Sequence, residues 1–489
     1  MNDLDWKKLL SVETLAPREK EPEYWDKYPI NNFEKDYKNI ISSAAFRRLQ
    51  DKTQVFPLDK SDFVRTRLTH SIEVSSIAKQ LGIMVTKNKD EKNAIKDFKD
   101  NLEVTEAIPS VLSCAGLLHD LGNPPFGHFG EVVIGDWFKE QLEKDEFSFK
   151  GTPIRDLFNT QMKNDLCSFE GNAQALRILS KISKSPDGND MNLSYSVINT
   201  LIKYPTDSEA VDKSEASDVK KHKLGYYMSE ENVFHDICKG TGTEISDGEV
   251  VRHPLTFLME AADDIAYATS DLEDALKKGM FTIEQFIEYF REELELLCIS
   301  EGIKRTKSEE LINDLELQMG SSVGTKESDS IAFQKWINRV RGWLMYVVSF
   351  SFHKNYDDIM NGKYKYDMFE DGFHKYSVKI LKGAMGEFVF NSSEILRLEL
   401  SAKKIISSLM DDFIYAVINW EEKSNDELTK AQKKLINIIS DNYKMDYYNA
   451  EGDDDIKNLY LRFLMVTDYI SGMTDSYAKN LYQELNGIA

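Results

Sequence analysis

The alternation of hydrophobic and polar positions along the chain predicts an all-α protein. Within residues 69–83 one inward-facing stripe recurs at helical spacing, formed by His70, Val74, Ile77 and Leu81. The same periodicity predicts four more helices, over residues 110–121, 255–278, 396–420 and 456–486. Strand patterns are short and weak, and residues 387–390 are the one candidate.

No shift in composition marks a domain boundary, so the pattern favours one large helical domain over residues 1–489. Chains of this length often divide into two or three domains, although large helical enzymes also reach it as one. We expect a metal-site core at about residues 40–280 and a C-terminal helical part at about residues 330–489. Three polar stretches are predicted to be peripheral insertions, over residues 85–105, 205–250 and 300–330.

The composition narrows the class of protein. Hydrophobic residues make up 41% and charged residues 29% of the chain, as in globular proteins. The best apolar run, residues 343–352, has about half of the ~20 residues that a membrane-spanning helix needs. The four cysteines are scattered and the N-terminus has no signal-peptide pattern. We therefore expect a protein of the reducing cytoplasm without a disulfide framework and without a membrane partner.

The net charge of −22 argues against general nucleic-acid binding, because an acidic surface repels polyanions. The charge does not exclude a single-stranded nucleic acid as an effector at a local basic site. A phosphate-binding site in this chain must gather its own arginine and lysine side chains against the overall field.

His119 and Asp120 are adjacent at the end of an apolar predicted helix, in the run Leu-His-Asp-Leu-Gly at residues 118–122. Burying both is costly unless each has a partner, and a divalent cation satisfies both at once. His70 lies on the inward stripe of an earlier helix, and Asp263 lies on a later one. Two imidazoles and two carboxylates suit Mn, Fe, Co, Ni or Zn and tolerate Mg.

Each of these residues has a simpler interpretation when it is taken alone. A helical histidine is usually a hydrogen-bonded structural residue, and a His-Asp pair occurs by chance in many proteins. The adjacent Asp263 and Asp264 fit a solvated helix face equally well. Helical phase favours Asp263 as the ligand, because Asp263, Tyr267 and Asp271 share one face.

Seven short motifs surround these residues, at positions 46–55, 65–71, 119–131, 169–174, 201–205, 260–275 and 468–475. Together they resemble the deoxyguanosine triphosphate (dGTP) triphosphohydrolase family of the HD-domain superfamily. The run Asn-Pro-Pro-Phe-Gly-His at residues 123–128 is the most specific of them. The resemblance spans about residues 30–485, and residues 205–250 match it only in patches.

The resemblance implies an HD-domain helical fold, commonly assembled into homo-oligomers and often into hexamers. It implies hydrolysis of a deoxynucleoside triphosphate to the deoxynucleoside and tripolyphosphate, with dGTP the expected substrate. Water then attacks the α-phosphorus. One divalent ion per site, Mn²⁺, Mg²⁺ or a similar metal, lowers the pKa of a bound water or neutralises a phosphate oxygen.

The resemblance also assigns roles near the metal. Arg67, one helical turn before His70, and Lys203 look like the family's phosphate contacts. His128 and Glu131 are expected to form a pair on a helix that restarts after Pro124-Pro125. Such a histidine either protonates the departing 5′-oxygen or helps to activate the water.

The sugar contacts follow from the same resemblance. Gln54 and Asp271 look like the pair that binds the 3′-hydroxyl, and Tyr267 looks like the ring that packs under the deoxyribose. An aromatic face at C2′ leaves no room for a 2′-hydroxyl. Less specific contacts are expected from Asn123 and Asn172 on the phosphate path and from Arg462, which would reach a base in a neighbouring subunit.

Two other functions remain open from the sequence. An HD-domain phosphodiesterase or nucleotidase would share the four metal ligands but would not need a sugar-binding set. A nucleotide-binding regulatory protein would bind without turnover, and the complete ligand set together with the His128–Glu131 pair argues against it. The reaction products distinguish the three functions.

Overall fold

The computed structural model describes residues 4–18, 31–59, 61–87, 95–182, 184–185, 188–189, 191–214, 218–246, 248–302, 306–320, 325–370, 375–420 and 428–488. Each of the three predicted insertions has a part outside these ranges, namely residues 88–94, 215–217 with 247, and 303–305 with 321–324.

Helices carry almost all of the regular structure of the described residues. The α-helices are α1 (Trp6–Leu9), α2 (Asn32–Ser42), α3 (Ala44–Arg48), α4 (Arg67–Thr86), α5 (Leu102–Leu118), α6 (Gly127–Leu142), α7 (Ile154–Leu157), α8 (Thr160–Cys167), α9 (Gly171–Arg177), α10 (Tyr195–Leu201), α11 (Glu231–Thr241), α12 (Pro254–Ala266), α13 (Leu272–Lys277), α14 (Ile283–Glu301), α15 (Thr306–Met319), α16 (Lys326–Lys354), α17 (Tyr356–Met360), α18 (Lys375–Met385), α19 (Ser393–Val417), α20 (Lys430–Ile438), α21 (Asp441–Ala450), α22 (Asp455–Ser471) and α23 (Asp475–Leu485).

Shorter elements link these helices. Single 3₁₀ turns lie at Leu49–Asp51, Lys96–Phe98, Val219–Lys221 and Met228–Glu230, and π-helical turns lie at Ile178–Ile182, Tyr267–Asp271 and Gly386–Phe390. Among the described residues the sheets are three antiparallel pairs, β1 (Ser148–Phe149) with β2 (Thr152–Pro153), β3 (Lys184–Ser185) with β4 (Gly188–Asn189), and β5 (Glu244–Ser246) with β6 (Glu249–Val250). The prediction of an all-α fold is confirmed.

The helix predicted over residues 110–121 begins earlier than expected. It is α5, which starts at Leu102 because the side chain of Asn101 accepts a hydrogen bond from the Val104 amide at 3.3 Å. Pro109 lies buried inside the helix and does not begin it. The expected restart after Pro124-Pro125 is present, since α6 begins at Gly127.

The strand predicted over residues 387–390 is wrong. This segment is a π-helical turn that continues α18. The ring of Phe388 packs against the rings of Phe281 and Tyr289, with centroid distances of 4.9 and 5.4 Å. An apolar run of this length fits either period, so the pattern alone does not separate a strand from a helix.

Two long predicted helices are each interrupted. Residues 255–278 form α12, the π turn Tyr267–Asp271 and α13. Residues 456–486 form α22 and α23, separated where the Thr474 side chain caps α23 by accepting from the Tyr477 amide. Of the insertions, residues 300–330 contain α15, and the Trp336 indole of α16 donates to the Leu311 carbonyl of α15 at 2.8 Å.

The antiparallel contact of α4 with α5 positions the two site histidines. A Cβ atom at Gly116 would lie 2.5 Å from the Ser75 Cα atom, so the helices approach each other closely because this position has no side chain. The Ser75 hydroxyl donates to the Ser113 carbonyl at 2.8 Å at the same crossing. His70 on α4 therefore comes to face His119, which follows the last residue of α5.

The hydrophobic core forms one continuous cluster that includes residues from α1 at one end of the chain and from α23 at the other. Helix α12 packs across α4 and brings Asp263 to the two histidines. In the described part of the chain, the helices lack the combination of length and apolar character that a membrane crossing demands.

Candidate active site

Three side chains, one from α4, one from the residue that follows α5 and one from α12, converge in a largely buried cluster. The Nε2 atom of His70 lies 3.3 Å from the Asp263 Oδ1 atom, and the Nε2 atom of His119 lies 3.4 Å from the same oxygen. The candidate ligand atoms of the three residues all lie within 4.8 Å of one another. This spacing is suited to one shared cation.

A backbone hydrogen bond fixes the ring of His119. Its Nδ1 atom donates to the Gly116 carbonyl at 2.9 Å, which leaves Nε2 as the lone-pair nitrogen. Nε2 is buried and forms no hydrogen bond among the described residues. A buried acceptor held in this tautomer, beside a carboxylate, fits coordination of a metal ion.

Asp120 lies beside this cluster. Its Oδ2 atom is 3.5 Å from His119 Nε2 and 2.7 Å from an Arg67 guanidinium nitrogen, and its Oδ1 atom accepts from the Asn123 amide at 2.5 Å. Burial alone would raise the pKa of Asp120, but Arg67 and the nearby imidazoles hold it at about 2. Asp120 is therefore a carboxylate at neutral pH and an available hard ligand.

Lys203 supplies a cation on the other side of the cluster. Its ammonium group donates to Asp263 Oδ2 at 3.0 Å. Burial opposes ionisation of both groups, yet Asp263 raises the pKa of Lys203, and Lys203 with His119 lowers the pKa of Asp263. Asp264 instead accepts from Lys382 at 2.6 Å, and burial raises its pKa to about 6.

The donor set fits a divalent metal ion. Two imidazole nitrogens and two carboxylates are the mixed ligands that first-row metals accept, and Mg²⁺ tolerates them less well. One His119 nitrogen without a hydrogen bond points into the space that the ion would occupy. His70, His119, Asp120 and Asp263 are the residues that would hold it.

His128 and Glu131 lie one helical turn apart at the start of α6. The His128 Nδ1 atom is 2.5 Å from the Glu131 Oε2 atom. The side chain of His128 is 76% exposed, whereas that of Glu131 is 6% exposed. The hydrogen bond to Glu131 raises the pKa of His128, and partial burial opposes this only in part. His128 is thus an accessible imidazole with a raised pKa.

A second carboxylate stands behind this pair. Glu131 Oε1 accepts from the Gly171 amide at 2.8 Å, which fixes the carboxylate in place. Glu170 accepts from the Asn172 amide at 2.7 Å and pairs with Lys223 at 3.0 Å. Burial, together with the charge of Glu131, raises the pKa of Glu170.

Among the predicted sugar residues, Asp271 is near enough to His70 for the two charges to interact. Both carboxylate oxygens of Asp271 and the carbonyl oxygen of Gln54 are buried without a hydrogen bond among the described residues. Burial raises the pKa of Asp271 to about 7, and the charge of nearby His70 opposes this only in part. Tyr267 is half-buried at the start of the same π turn.

Comparison with known proteins agrees with this geometry. The HD domain family model matches residues 67–156. A deoxyguanosinetriphosphate triphosphohydrolase-like protein of Listeria monocytogenes is 45% identical over 460 residues, which cover 94% of each chain. The deoxyguanosinetriphosphate triphosphohydrolase of Yersinia pseudotuberculosis is 30% identical, and the match covers 99% of each chain. The chain belongs to the dGTP triphosphohydrolase family.

As a member of this family, the chain is a hydrolase with an HD domain. The sequence-based predictions of the family, of the HD-type helical fold and of an enzyme are confirmed. HD domains are metal-dependent, and the buried His70, His119 and Asp263 cluster suits a metal ion.

The structure does not bring Arg462 into this site. Its side chain is fully buried on α22, donates to the Trp420 carbonyl, and stands over the Phe149 ring at 5.6 Å. The guanidinium is thus engaged inside this chain, and the contact of Arg462 with a base in a neighbouring subunit stays a prediction.

Two residues that support the site were not singled out from the sequence. The ammonium group of Lys52 donates to the Asn123 carbonyl at 2.5 Å and to the Ser471 carbonyl at 2.7 Å. Asp475 accepts from the Phe126 amide at 2.9 Å and from the Thr53 amide at 3.0 Å. Both lie within recognised motifs, but only long-range contacts reveal their role in holding the turn before α6.

Proposed function

We propose that this hydrolase converts a deoxynucleoside triphosphate, preferably dGTP, to the deoxynucleoside and tripolyphosphate. Water attacks the α-phosphorus. The observation that supports this most strongly is the buried His70, His119 and Asp263 cluster with two cations against it, Arg67 at Asp120 and Lys203 at Asp263. The name of the 45% identical relative supports the substrate class.

The two cations suit a polyphosphate. A nucleoside triphosphate carries about four negative charges, and phosphoryl chemistry depends mainly on positioning and on neutralising that charge. Arg67 and Lys203 are each ion-paired with a site carboxylate and are only slightly exposed. They are therefore held in place before the substrate arrives, and a phosphate would compete for charges that are already positioned.

When bound, the divalent ion would supply a water of lowered pKa and a counter-charge for a phosphate oxygen. We assign His128 as the proton donor to the departing 5′-oxygen. The hydrogen bond to Glu131 raises the pKa of His128, which favours the protonated form, and its exposure lets it reach a substrate. Glu131, fixed by the Gly171 amide, orients the imidazole and stabilises its charge.

Deoxyribose selection would come from Gln54, Tyr267 and Asp271. Buried oxygens without a hydrogen bond are costly, so Asp271 gains when a 3′-hydroxyl donates to it, and Gln54 supplies the opposing contact. A ribose 2′-hydroxyl facing the Tyr267 ring would have no polar partner. An unpaired buried hydroxyl costs about 1–3 kcal/mol, so together with steric exclusion the selection would reach roughly 10²-fold.

The family resemblance further supports a homo-oligomer, with a hexamer as the expected form, and light scattering of the purified protein tests it. The catalytic proposal is tested with Mn²⁺ or Mg²⁺, each of the four deoxynucleoside triphosphates and GTP, with products separated by chromatography. Tripolyphosphate and a deoxynucleoside are expected. Hydrolysis of a nucleoside monophosphate would support a phosphodiesterase or nucleotidase instead, and binding without turnover a regulatory protein.

A Tyr267→Ala variant tests the sugar selection in the same assay. We expect it to hydrolyse GTP at a rate closer to that of dGTP than the wild type does. Equal rates on GTP and dGTP in the wild type would refute the sugar-binding set, whereas a preference for another deoxynucleotide would remove only the base assignment.

A further inference from the structure

The π-helical turn Tyr267–Asp271 interrupts an otherwise α-helical segment at the proposed sugar-binding residues. Tyr267 opens this turn and Asp271 closes it. Between them lie Thr269 and Ser270, whose side chains are fully buried. π turns are rare and occur often at functional sites, because i→i+5 bonding changes the directions in which side chains leave the helix.

Arg341, which is far from this turn in sequence, binds the two residues in its middle. One guanidinium nitrogen of Arg341, on α16, donates to the Ser270 hydroxyl at 3.0 Å, and two nitrogens lie 3.4 Å from the Thr269 hydroxyl. No carboxylate of the described residues forms an ion pair with Arg341. The half-buried guanidinium thus donates its hydrogen bonds to two neutral hydroxyls of a single turn.

Arg65 holds the same turn from the α4 side. Its guanidinium lies 3.3 Å from the Ser270 carbonyl, pairs with Asp274, and also pairs with Glu273 at 3.0 Å. With Glu73 at 3.0 Å, Arg65 has four anionic or carbonyl partners and is anchored independently of Arg341. The turn is therefore fixed to α4 by Arg65 and to α16 by Arg341.

Fixing this turn matters because the relative directions of Tyr267 and Asp271 depend on it. These two residues are four positions apart, and a change from π-helical to α-helical bonding would rotate one side chain relative to the other. A pair that selects a sugar by shape needs that relative direction to be constant. An arginine that binds two hydroxyls of the turn from a different helix restricts this change.

We propose that Arg341 is a positioning residue for deoxyribose selection: by binding Thr269 and Ser270 it fixes the π turn that carries Tyr267 and Asp271. The inference rests on the proposed function, because it assumes that those two residues contact the sugar. It goes further in making the selection depend on α16, a helix outside the residues that match the HD domain model.

The experiment compares kcat and KM for dGTP and for GTP in the wild type, Arg341→Ala, Arg341→Lys and Arg339→Ala. Arg339 is the matched control, because it lies on the same helix, is 60% exposed and pairs with Asp314. We expect Arg341→Ala to lower the dGTP-to-GTP ratio of kcat/KM by about tenfold, the usual effect of losing a buried hydrogen bond to a charged group. Arg341→Lys should restore part of the ratio, and Arg339→Ala should leave it unchanged.

A second variant guards against a folding defect in the first. Ser270→Ala removes one of the hydroxyls that Arg341 binds, with little change in shape. In the double variant with Arg341→Ala, the dGTP-to-GTP ratio of kcat/KM should fall by less than the two single effects combined. An unchanged ratio in both variants, in an enzyme whose wild type prefers dGTP, would overturn the role of Arg341 alone. A wild type without preference for dGTP would overturn the sugar-binding set and this inference with it.

Discussion

At the scale of single residues, different neighbours give two buried aspartates of the site opposite protonation behaviour. Asp120 has Arg67 and two imidazoles as neighbours, and its pKa is held at about 2. Asp271 has no hydrogen bond among the described residues, and burial raises its pKa to about 7. The first is therefore an available ligand for a cation, whereas the second is a buried group whose oxygens a hydroxyl could satisfy.

His128→Ala should reduce kcat for dGTP by roughly 10²–10⁴-fold, the usual contribution of general acid–base catalysis. Bound metal should be unchanged, because His128 pairs with Glu131 and not with the His70, His119 and Asp263 cluster. Lys139→Ala on the same helix, at an exposed ion pair with Asp136, is the matched control. Loss of metal from His128→Ala, measured by elemental analysis, would make His128 a ligand.

The pH dependence of kcat separates the two roles of His128. The hydrogen bond to Glu131 raises the pKa of His128, so a proton donor would lose activity as the pH rises through that raised value. Glu131→Gln removes the negative charge and should move this alkaline limb to lower pH. A shift of the acidic limb instead would show that His128 works as a base.

At the scale of helices, the site depends on how closely α4 and α5 approach. Periodicity in the sequence predicted the His70 helix and the His119–Asp120 end of the next one. It did not predict that α5 starts at Leu102, because Pro109 looks like a helix start and is tolerated within the helix. It also did not reveal the π turn at Tyr267–Asp271, since one turn of i→i+5 bonding leaves no spacing signature in sequence.

Gly116→Ala should lower the free energy of unfolding by about 1–3 kcal/mol, because the new methyl group would collide with the α4 backbone. The nearest atoms are the Cα and N atoms of Ser75 at 2.5 and 2.7 Å, which cannot move as a side-chain tip can. Activity should fall too, since separation of the helices separates His70 from His119.

Gly342→Ala on α16 is the control for helix propensity. No atom lies within 4 Å of a Cβ placed there, so the change should be neutral or stabilise the protein by up to about 1 kcal/mol. Urea unfolding of both variants provides the comparison. Equal stability of Gly116→Ala and Gly342→Ala would contradict the close crossing.

At the scale of the whole molecule, the C-terminal helices close the back of the site. Lys52 joins the Asn123 carbonyl to the Ser471 carbonyl at the end of α22, and Asp475 at the start of α23 binds the Phe126 amide. Contacts between residues some 350 positions apart have no periodic pattern, so sequence inspection found the motif of residues 468–475 without its structural role.

Asp475→Ala should destabilise the protein by about 1–3 kcal/mol, because the Phe126 and Thr53 amides lose a buried acceptor. It should also lower kcat, since Phe126 directly precedes the helix that carries His128. Asp455→Ala, in the first turn of α22 and at an exposed pair with Lys150, is the control and should change neither quantity. Thermal unfolding and dGTP turnover measure both, and equal behaviour of the two variants would count against this closure.

The proposed reaction is the attack of water on the α-phosphorus of a deoxynucleoside triphosphate. It is tested by turnover of dGTP in ¹⁸O-labelled water, followed by mass spectrometry of both products. We expect unlabelled deoxyguanosine and tripolyphosphate carrying one ¹⁸O atom. Labelled orthophosphate with dGDP, or label in the deoxyguanosine, would contradict it.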